Sequence, residues 1–554
     1  MDTQTSAQQA AREHHDDDHY DVVIVGAGPS GAVTAKRLVE AGFRVAVVEQ
    51  GDWPDYSKAR ANFPDYELTL DRHWPWNPNR DVEGHGFEFD DSASTLTPLM
   101  WNGVGGSALV WAAQWQRNLP SDFRVRTLDG VADDWQLTYE DLEPFYVRVE
   151  RDFGVSGLAG DPMFPAGDGP PMPPVPIREH GRRIAKAHNE LGWHWWPGTN
   201  AIASRHYEHA NLKACTQRAA CMRGCPERAK SSPDITHWPQ SLAKGVTLIL
   251  RAQVRRVLMS SQGLAEGVMY TDEHGVDRSV RGDVVVLAAN GIGTPRLLLL
   301  SADARHPDGL ANGSGQVGRR LMMHPLGQVI GVWDDPVGTT HGVHGQQLHS
   351  LEFYETDESR GFVRGAKWGL LPSSGPLTQT RSYPWGSENA IWGPGFQDAL
   401  RGRLGHSAWW AIICEDLPED HNRVSLHTEK RDRFGDPLAS IEYKTSDNSD
   451  RMLEFHLDRA VESMQAAGAR QAIRGSWIKE SAFHHLGTAV MGADPATSVV
   501  DGWGRAHEVP NLFIFDGSVW PTSAGMNPTA TIAALALRNT EAMIAARSGQ
   551  VTAS

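Results

Sequence analysis

Apolar positions along the 554-residue chain come in short runs, and their spacing predicts the elements they form. After a polar opening, MDTQTSAQQAAREHHDDDHY, the run Val22 to Val25 predicts a buried strand, Ala32 to Ala41 a helix, and Val45 to Val48 a second strand. A turn carrying Gly26, Gly28 and Gly31 joins the first strand to the helix, and Glu49 closes the second strand. The order strand, glycine turn, helix, strand, acid predicts a dinucleotide-binding unit. Gly26 permits the tight turn, Gly28 lets backbone approach a pyrophosphate, and Gly31 lets the helix close on the strand. The helix then turns its positive end to the phosphates. Glu49 is placed to accept hydrogen bonds from ribose hydroxyls, and its charge repels a ribose 2′-phosphate. The motif leaves NAD and FAD open.

A second run of this kind, VVVLAANGIGTPRLLLLS from Val284, predicts a buried strand, a glycine turn and a helix returning to the nucleotide sheet. Asn527, Pro528 and Thr529 open a helical run, in the pattern of an N-cap followed by proline. PAGDGPPMPPVP after Phe164 predicts a loop between elements. No run approaches about 20 apolar residues, and the opening has neither a signal-peptide core nor a twin-arginine pair. Cytoplasmic location without membrane insertion is the expectation, with HHDDDH (His14 to His19) as a solvated leader.

Lysine and arginine number 52 against 68 acidic residues, a net charge of −16 that argues against nucleic acid and anionic lipid as partners. The 20 tryptophans cluster in HWPWNPN, GWHWWPG and SAWWAII. Their flat faces suit sugar rings as well as a packed core, and composition leaves both uses open. Of four cysteines, three fall in CTQRAACMRGCPERAKSS: Cys215, Cys221 and Cys225. Thiolates are soft ligands that suit an iron-sulfur cluster or zinc, with His206 and His209 as neighbouring candidates for a fourth zinc ligand. A disulfide fits a reducing compartment poorly.

Towards the C-terminus stand SAFHHLGTAVMG and NLFIFDGSVWPTSAGMNPTATIAALALRNTEAMI. With the N-terminal motif, and with WNGVGGSALVW, DWQLTYEDLEPFYVRVERDFGVSG, GRRLMMHP and NRVSL between, the chain resembles the glucose-methanol-choline FAD oxidoreductases. Within them it is most similar to the branch of pyranose oxidases and FAD-dependent sugar or gluconate dehydrogenases. The resemblance implies an α/β fold, a Rossmann-like FAD-binding domain with a second, sheet-based substrate domain over the flavin. FAD-binding segments are expected at 19–55, 90–120, 244–325 and 480–550. Substrate-domain segments are expected at 121–243, with the cysteine loop, and 326–479.

The resemblance also assigns roles. His484 corresponds to the base of the HxxGT pattern, with His485 in the variable position beside it, and Asn527 to the second catalytic position. Val254, in Ala252 to Val254, corresponds to the adenine contact, Asp516 to the acid near the flavin phosphate and ribityl chain, and Pro528 and Thr529 to the helix start facing the flavin pyrimidine. Gly105, Gly106 and Ser107 form the loop that approaches the flavin. Relatives with covalent FAD carry histidine before a tryptophan after this loop; Val110 stands there before Trp111, which predicts non-covalent FAD. For the thiols the resemblance adds a [3Fe-4S] cluster, with Arg218 where some relatives carry a further cysteine; unligated thiols inherited with the loop, zinc and a disulfide stay open. The expected reaction is oxidation of a secondary hydroxyl of a sugar, glycoside or polyol. An accessory subunit or electron-acceptor protein is the expected partner. An oxygen-using oxidase and a lyase with a structural flavin are the competing readings.

Overall fold

The structure, a computed structural model, describes residues 18–59, 74, 87–339, 341–373, 375–376 and 393–547. Most of the HHDDDH leader and of HWPWNPN therefore lies outside the described residues.

The Val22–Val25 run is the end of strand β1 (His19–Val25), which is buried by apolar neighbours on both edges. Parallel strands β2 (Val45–Val48) and β8 (Asp277–Leu287) flank it, with Val23 opposite both Ala46 and Val285. Such runs read as continuous rather than alternating because both faces of a parallel sheet are covered. Strand β5 (Thr247–Ile249) lies outside β2, and β16 (Leu512–Ile514) pairs with the end of β8. Antiparallel β7 (Ala265–Thr271) and β6 (Gln253–Met259) complete a seven-stranded sheet. The helix Pro29–Glu40 begins three residues earlier than the apolar pattern predicts, since Pro29 suits a first helical turn. It packs on the helix Thr529–Arg547, which also contacts the helix Tyr139–Phe153.

A second, antiparallel sheet has six strands in the order β15 (Gln471–Arg474), β9 (Leu326–Val332), β12 (Ser407–Cys414), β11 (Ala366–Pro372), β10 (Leu348–Ser350) and β4 (Trp196–Pro197). The helix Asp447–Ala466 covers one face, and Trp333, Trp368 and Trp410 fill the core beneath it. Tryptophan thus serves mainly as core here, while Trp409, one residue along from Trp410, turns to the opposite face by the two-residue period of a strand. A three-stranded sheet joins β13 (Arg423–Arg431), β14 (Pro437–Tyr443) and β3 (Phe89–Ser94).

β3, from the segment at 90–120, pairs with β14 from 326–479, because Phe89 and Ala439 close a common apolar cluster with Leu321 and Ile441. The Tyr139–Phe153 helix, from 121–243, lies against Thr529–Arg547, and Tyr146 bonds Thr531 at 2.6 Å. Among the described residues, no helix is long and apolar enough to cross a membrane.

Candidate active site

One cavity of about 380 Å³ runs from the glycine turn to the second sheet. At its start Gly26 has φ +104°, and a Cβ there would meet the Ala288 carbonyl oxygen at 2.5 Å. A Cβ on Gly31 would meet the Gly26 oxygen at 2.0 Å, so the helix can lie this close only without one. Gly28 precedes the helix with no side-chain cap, which leaves first-turn N–H groups facing the cavity. Glu49 accepts from the Ala27 and Gly51 amides at 2.8 and 2.9 Å, and burial still pushes its carboxyl up.

Gly105 (φ +113°) and Gly106 (φ +57°) dock the next loop on this turn: Gly105 N–H donates to Ala27 oxygen at 3.0 Å. A Cβ on Gly106 would come within 2.9 Å of the Gly28 Cα. Ser107 Oγ accepts from the Trp101 amide at 3.1 Å and so shapes the loop from within. Val254 lines the cavity where β6 passes. Asp516 takes Asn290 N–H at 3.0 Å, Thr294 Oγ1 at 2.6 Å and Ser518 N–H at 2.9 Å, and burial raises its carboxyl. These features fit a dinucleotide: an uncapped helix start, glycines where a Cβ would fill the cradle, and a buried carboxylate at the ribose position.

At the far end the structure brings His484 and Asn527 to the same cavity, with Pro528 and Thr529 behind Asn527. Each is held by a residue that carries no assignment from the sequence. His324 Nε2 faces the Ser523 carbonyl at 3.0 Å, and its Nδ1 faces His484 Nδ1 at 2.8 Å. A carbonyl only accepts, so His324 carries its proton on Nε2. Burial holds the ring neutral, with its pKa lowered to about 4, so Nδ1 is a bare acceptor. His484 must then donate through Nδ1, and burial keeps it neutral as well, far below the ordinary imidazole range. Its Nε2 is left as a free lone pair. His485 instead spends Nε2 on the Ala482 carbonyl at 3.0 Å, a structural contact.

Asn527 Oδ1, the oxygen an N-cap would turn to its helix, accepts from Lys367 Nζ at 2.5 Å. The same ammonium donates to Gln114 Oε1 at 2.6 Å, and Gln114 is fixed by donating Nε2 to the Gly345 carbonyl at 2.7 Å. With its oxygen turned to Lys367, Asn527 keeps its N–H₂ group free as a donor. Burial alone pulls the Lys367 pKa well below its ordinary value. His324 lies in GRRLMMHP, a stretch with a family match but no role; for Lys367 the sequence holds no local signal.

The segment that carries the three thiols touches the stretch after the loop of Gly105 to Ser107, at Leu109 and Trp111. None of the described cysteines forms a disulfide. Cys215 Sγ accepts from Gln217 N–H at 3.3 Å and Cys225 Sγ from Lys230 N–H at 3.4 Å. Cys221 accepts from the His344 backbone. Positive φ at Gln217, Ala219, Gly224 and Arg228 coils the backbone around them. Lys230, buried, donates Nζ to the Leu109 carbonyl at 2.7 Å, and Trp111 Nε1 donates to Ser231 oxygen at 2.9 Å. Met222 and His344 reach the cavity wall itself. Among the described residues, no three histidine, cysteine or acidic side chains converge on one metal ion, and His209 is spent on Asp152 at 3.0 Å.

The family model described as GMC oxidoreductase matches residues 20–326 with its N-terminal part and 418–536 with its C-terminal part. The chain belongs to the GMC oxidoreductase family. This GMC oxidoreductase is 36% identical over 533 residues to 2-methyl-1,2-propanediol dehydrogenase of Mycolicibacterium austroafricanum, covering 94% of each chain. It is 28% identical to the fructose dehydrogenase large subunit of Gluconobacter japonicus, covering 95% of this chain and 97% of the other. The solved structure of pyridoxine 4-oxidase from Mesorbium loti matches 94% of this chain and 98% of its own at a TM-score of 0.62 and 19% identity, which shows the fold. The α/β architecture read from the sequence is therefore that of a GMC oxidoreductase, and FAD is the dinucleotide this fold serves.

Proposed function

We propose that this GMC oxidoreductase oxidises a secondary hydroxyl of a sugar, glycoside or related polyol to the ketone. The observation that carries it is the opposite polarity of the two cavity groups: His484 presents a bare Nε2 and Asn527 presents N–H. An alcohol hydroxyl needs an acceptor for its proton and a donor for its oxygen, and this pair offers one of each. FAD, held by the glycine turn, Glu49, Val254, Asp516 and the loop of Gly105 to Ser107, supplies the acceptor for the hydride. As His484 takes the proton on Nε2, its Nδ1–H stays bonded to His324, whose Nε2–H stays on the Ser523 carbonyl, so the new charge is met without rearrangement. Asn527 holds the oxygen as it gains charge, and Lys367 keeps that amide from turning. Val110 offers no nucleophile at the place where relatives attach FAD, which supports a non-covalent cofactor.

Cys215, Cys221 and Cys225 would hold a [3Fe-4S] cluster, which supplies a one-electron exit from reduced flavin. Its support is the number of thiols and the N–H donors aimed at them from Gln217, Lys230 and His344, which offset part of the burial that pushes the free thiols up. The Gluconobacter relative is by name a large subunit, which supports a partner subunit or acceptor protein here too. Anaerobic addition of sugars, glycosides and polyols is expected to bleach the flavin absorbance of the purified enzyme. Failure of every alcohol to do so would leave the lyase reading in its place.

A further inference from the structure

The second sheet turns a regular grid of side chains to the cavity. Register places Lys367, Ile413 and Leu326 in one row across β11, β12 and β9, and Gly369, Ala411 and Gln328 in the next. Ala411, with only a methyl group, leaves a hollow beside Gln328, and on the far side of the row Lys367 sits behind Asn527 and Gln114, which line the cavity. Leu326 and Ile413 make the wall beside it apolar.

Gln328 breaks that wall. It is 2% exposed, lines the cavity, and its Nε2 has no hydrogen-bond partner. Its polar neighbours are otherwise engaged: Gln114 and Asn527 on Lys367, His324 on Ser523 and His484, and His485 on Ala482. A buried amide left unpaired is costly, and in native sites such a group commonly awaits a ligand atom. Two strands across and two residues along separate the Cα atoms of Lys367 and Gln328 by on the order of 12 Å. Lys367 Nζ is bonded to Asn527, so a hydroxyl held by Asn527 lies across roughly this span from Gln328, a span that suits a six-membered ring. Oxygens on adjacent carbons lie too close together to bridge it.

We propose that Gln328 is a specificity residue that donates to a substrate oxygen remote from the reacting carbon, and that the substrate is a ring-sized polyhydroxylated molecule. This rests on the alcohol-oxidising reading of the site and narrows it. While the reacting hydroxyl lies between His484 and Asn527, a hydroxyl or ether oxygen across the ring satisfies Gln328 Nε2. A mono-alcohol of the same size leaves it orphaned.

The test measures dissociation constants on the FAD-loaded enzyme from the perturbation of flavin absorbance, and reduction rates under anaerobic conditions. The probes are cyclohexanol, cyclohexane-1,2-diol, cyclohexane-1,4-diol and a methyl hexoside. Wild type is expected to bind the 1,4-diol and the hexoside more tightly than cyclohexanol and the 1,2-diol. Gln328→Leu is expected to weaken those two by roughly 10- to 100-fold and to leave cyclohexanol within about twofold. Gln328→Met, which keeps the length but has no donor, is expected to behave as Gln328→Leu does, and an unchanged flavin content and spectrum shows that the site is intact. Equal losses for all probes, no loss for any, or wild-type binding that ignores the remote oxygen would overturn the inference. If Gln328-dependent binding holds while no alcohol bleaches the flavin, the oxidation reading falls and the Gln328 assignment stands.

Discussion

His484 points its free lone pair into the cavity because His324 occupies the other side of its ring. His484→Ala is accordingly expected to slow flavin reduction about 10²-fold or more, measured by anaerobic stopped flow. An unchanged rate removes His484 from the role of base. The direction of its pKa shift sets the pH dependence. The active form is the neutral ring, and burial, with His324, His485 and Lys367 adding to it, lowers the folded pKa well below 6.5. The neutral form therefore persists as pH falls through the ordinary imidazole range, and the reduction rate is expected to stay level there and to fall only in more acid solution. A titration of the rate centred at 6.5 or higher would contradict this. Lys367→Met takes the donor from Asn527 Oδ1 and frees the amide to turn. It is expected to lower the limiting reduction rate roughly 10- to 100-fold with a smaller change in substrate dissociation constant, since the oxygen of the hydroxyl needs its donor most as charge develops. A loss confined to flavin content would make Lys367 structural only.

At the scale of elements, the glycine turn and the loop of Gly105 to Ser107 act as one cradle. Gly106→Ala puts a Cβ within 2.9 Å of the Gly28 Cα at a φ of +57°, so the two backbones must separate. The purified variant is expected to carry much less FAD per chain than wild type, read from the ratio of flavin to protein absorbance; full retention would show that the loops give way without cost. This cradle was legible in the sequence because its parts are local: Gly26, Gly28 and Gly31 lie within one turn of chain, and Glu49 ends the next strand. His484 and Asn527 were legible through motif alone. Their partners were not, because His324 meets His484, and Lys367 meets Asn527, across 160 residues of chain. Only the pairing of β9, β11 and β12 decides which residues of the second sheet face the cavity. Trp409 and Trp410 show the same limit, since alternation says that they face opposite ways but not which of them faces inward.

Across the whole molecule, the proposed function assigns substrate to the second sheet and the electron exit to the thiol segment. The second sheet closes the cavity on one side with Gln328, Ala411 and Ile413, while the thiol segment reaches it through Met222 and touches the stretch just after the flavin loop, Lys230 on Leu109 and Ser231 on Trp111. Changes to the thiols should then leave the reductive half-reaction alone and act on the reoxidation of the flavin. Freshly purified enzyme is expected to contain about three irons and about four acid-labile sulfides per chain. Cys221→Ser is expected to lose most of that iron, to bleach with substrate at the wild-type rate under anaerobic conditions, and to pass electrons to an artificial one-electron acceptor far more slowly. Iron-free wild type with full turnover on that acceptor would end the cluster reading and leave the thiols as inherited, unligated groups. Rapid reoxidation of iron-free enzyme by oxygen would instead support the oxidase. A Cys221→Ser enzyme that lost flavin bleaching as well would mean that the thiol segment shapes the substrate cavity, through Met222 and through His344, whose backbone donates to Cys221, rather than the electron exit.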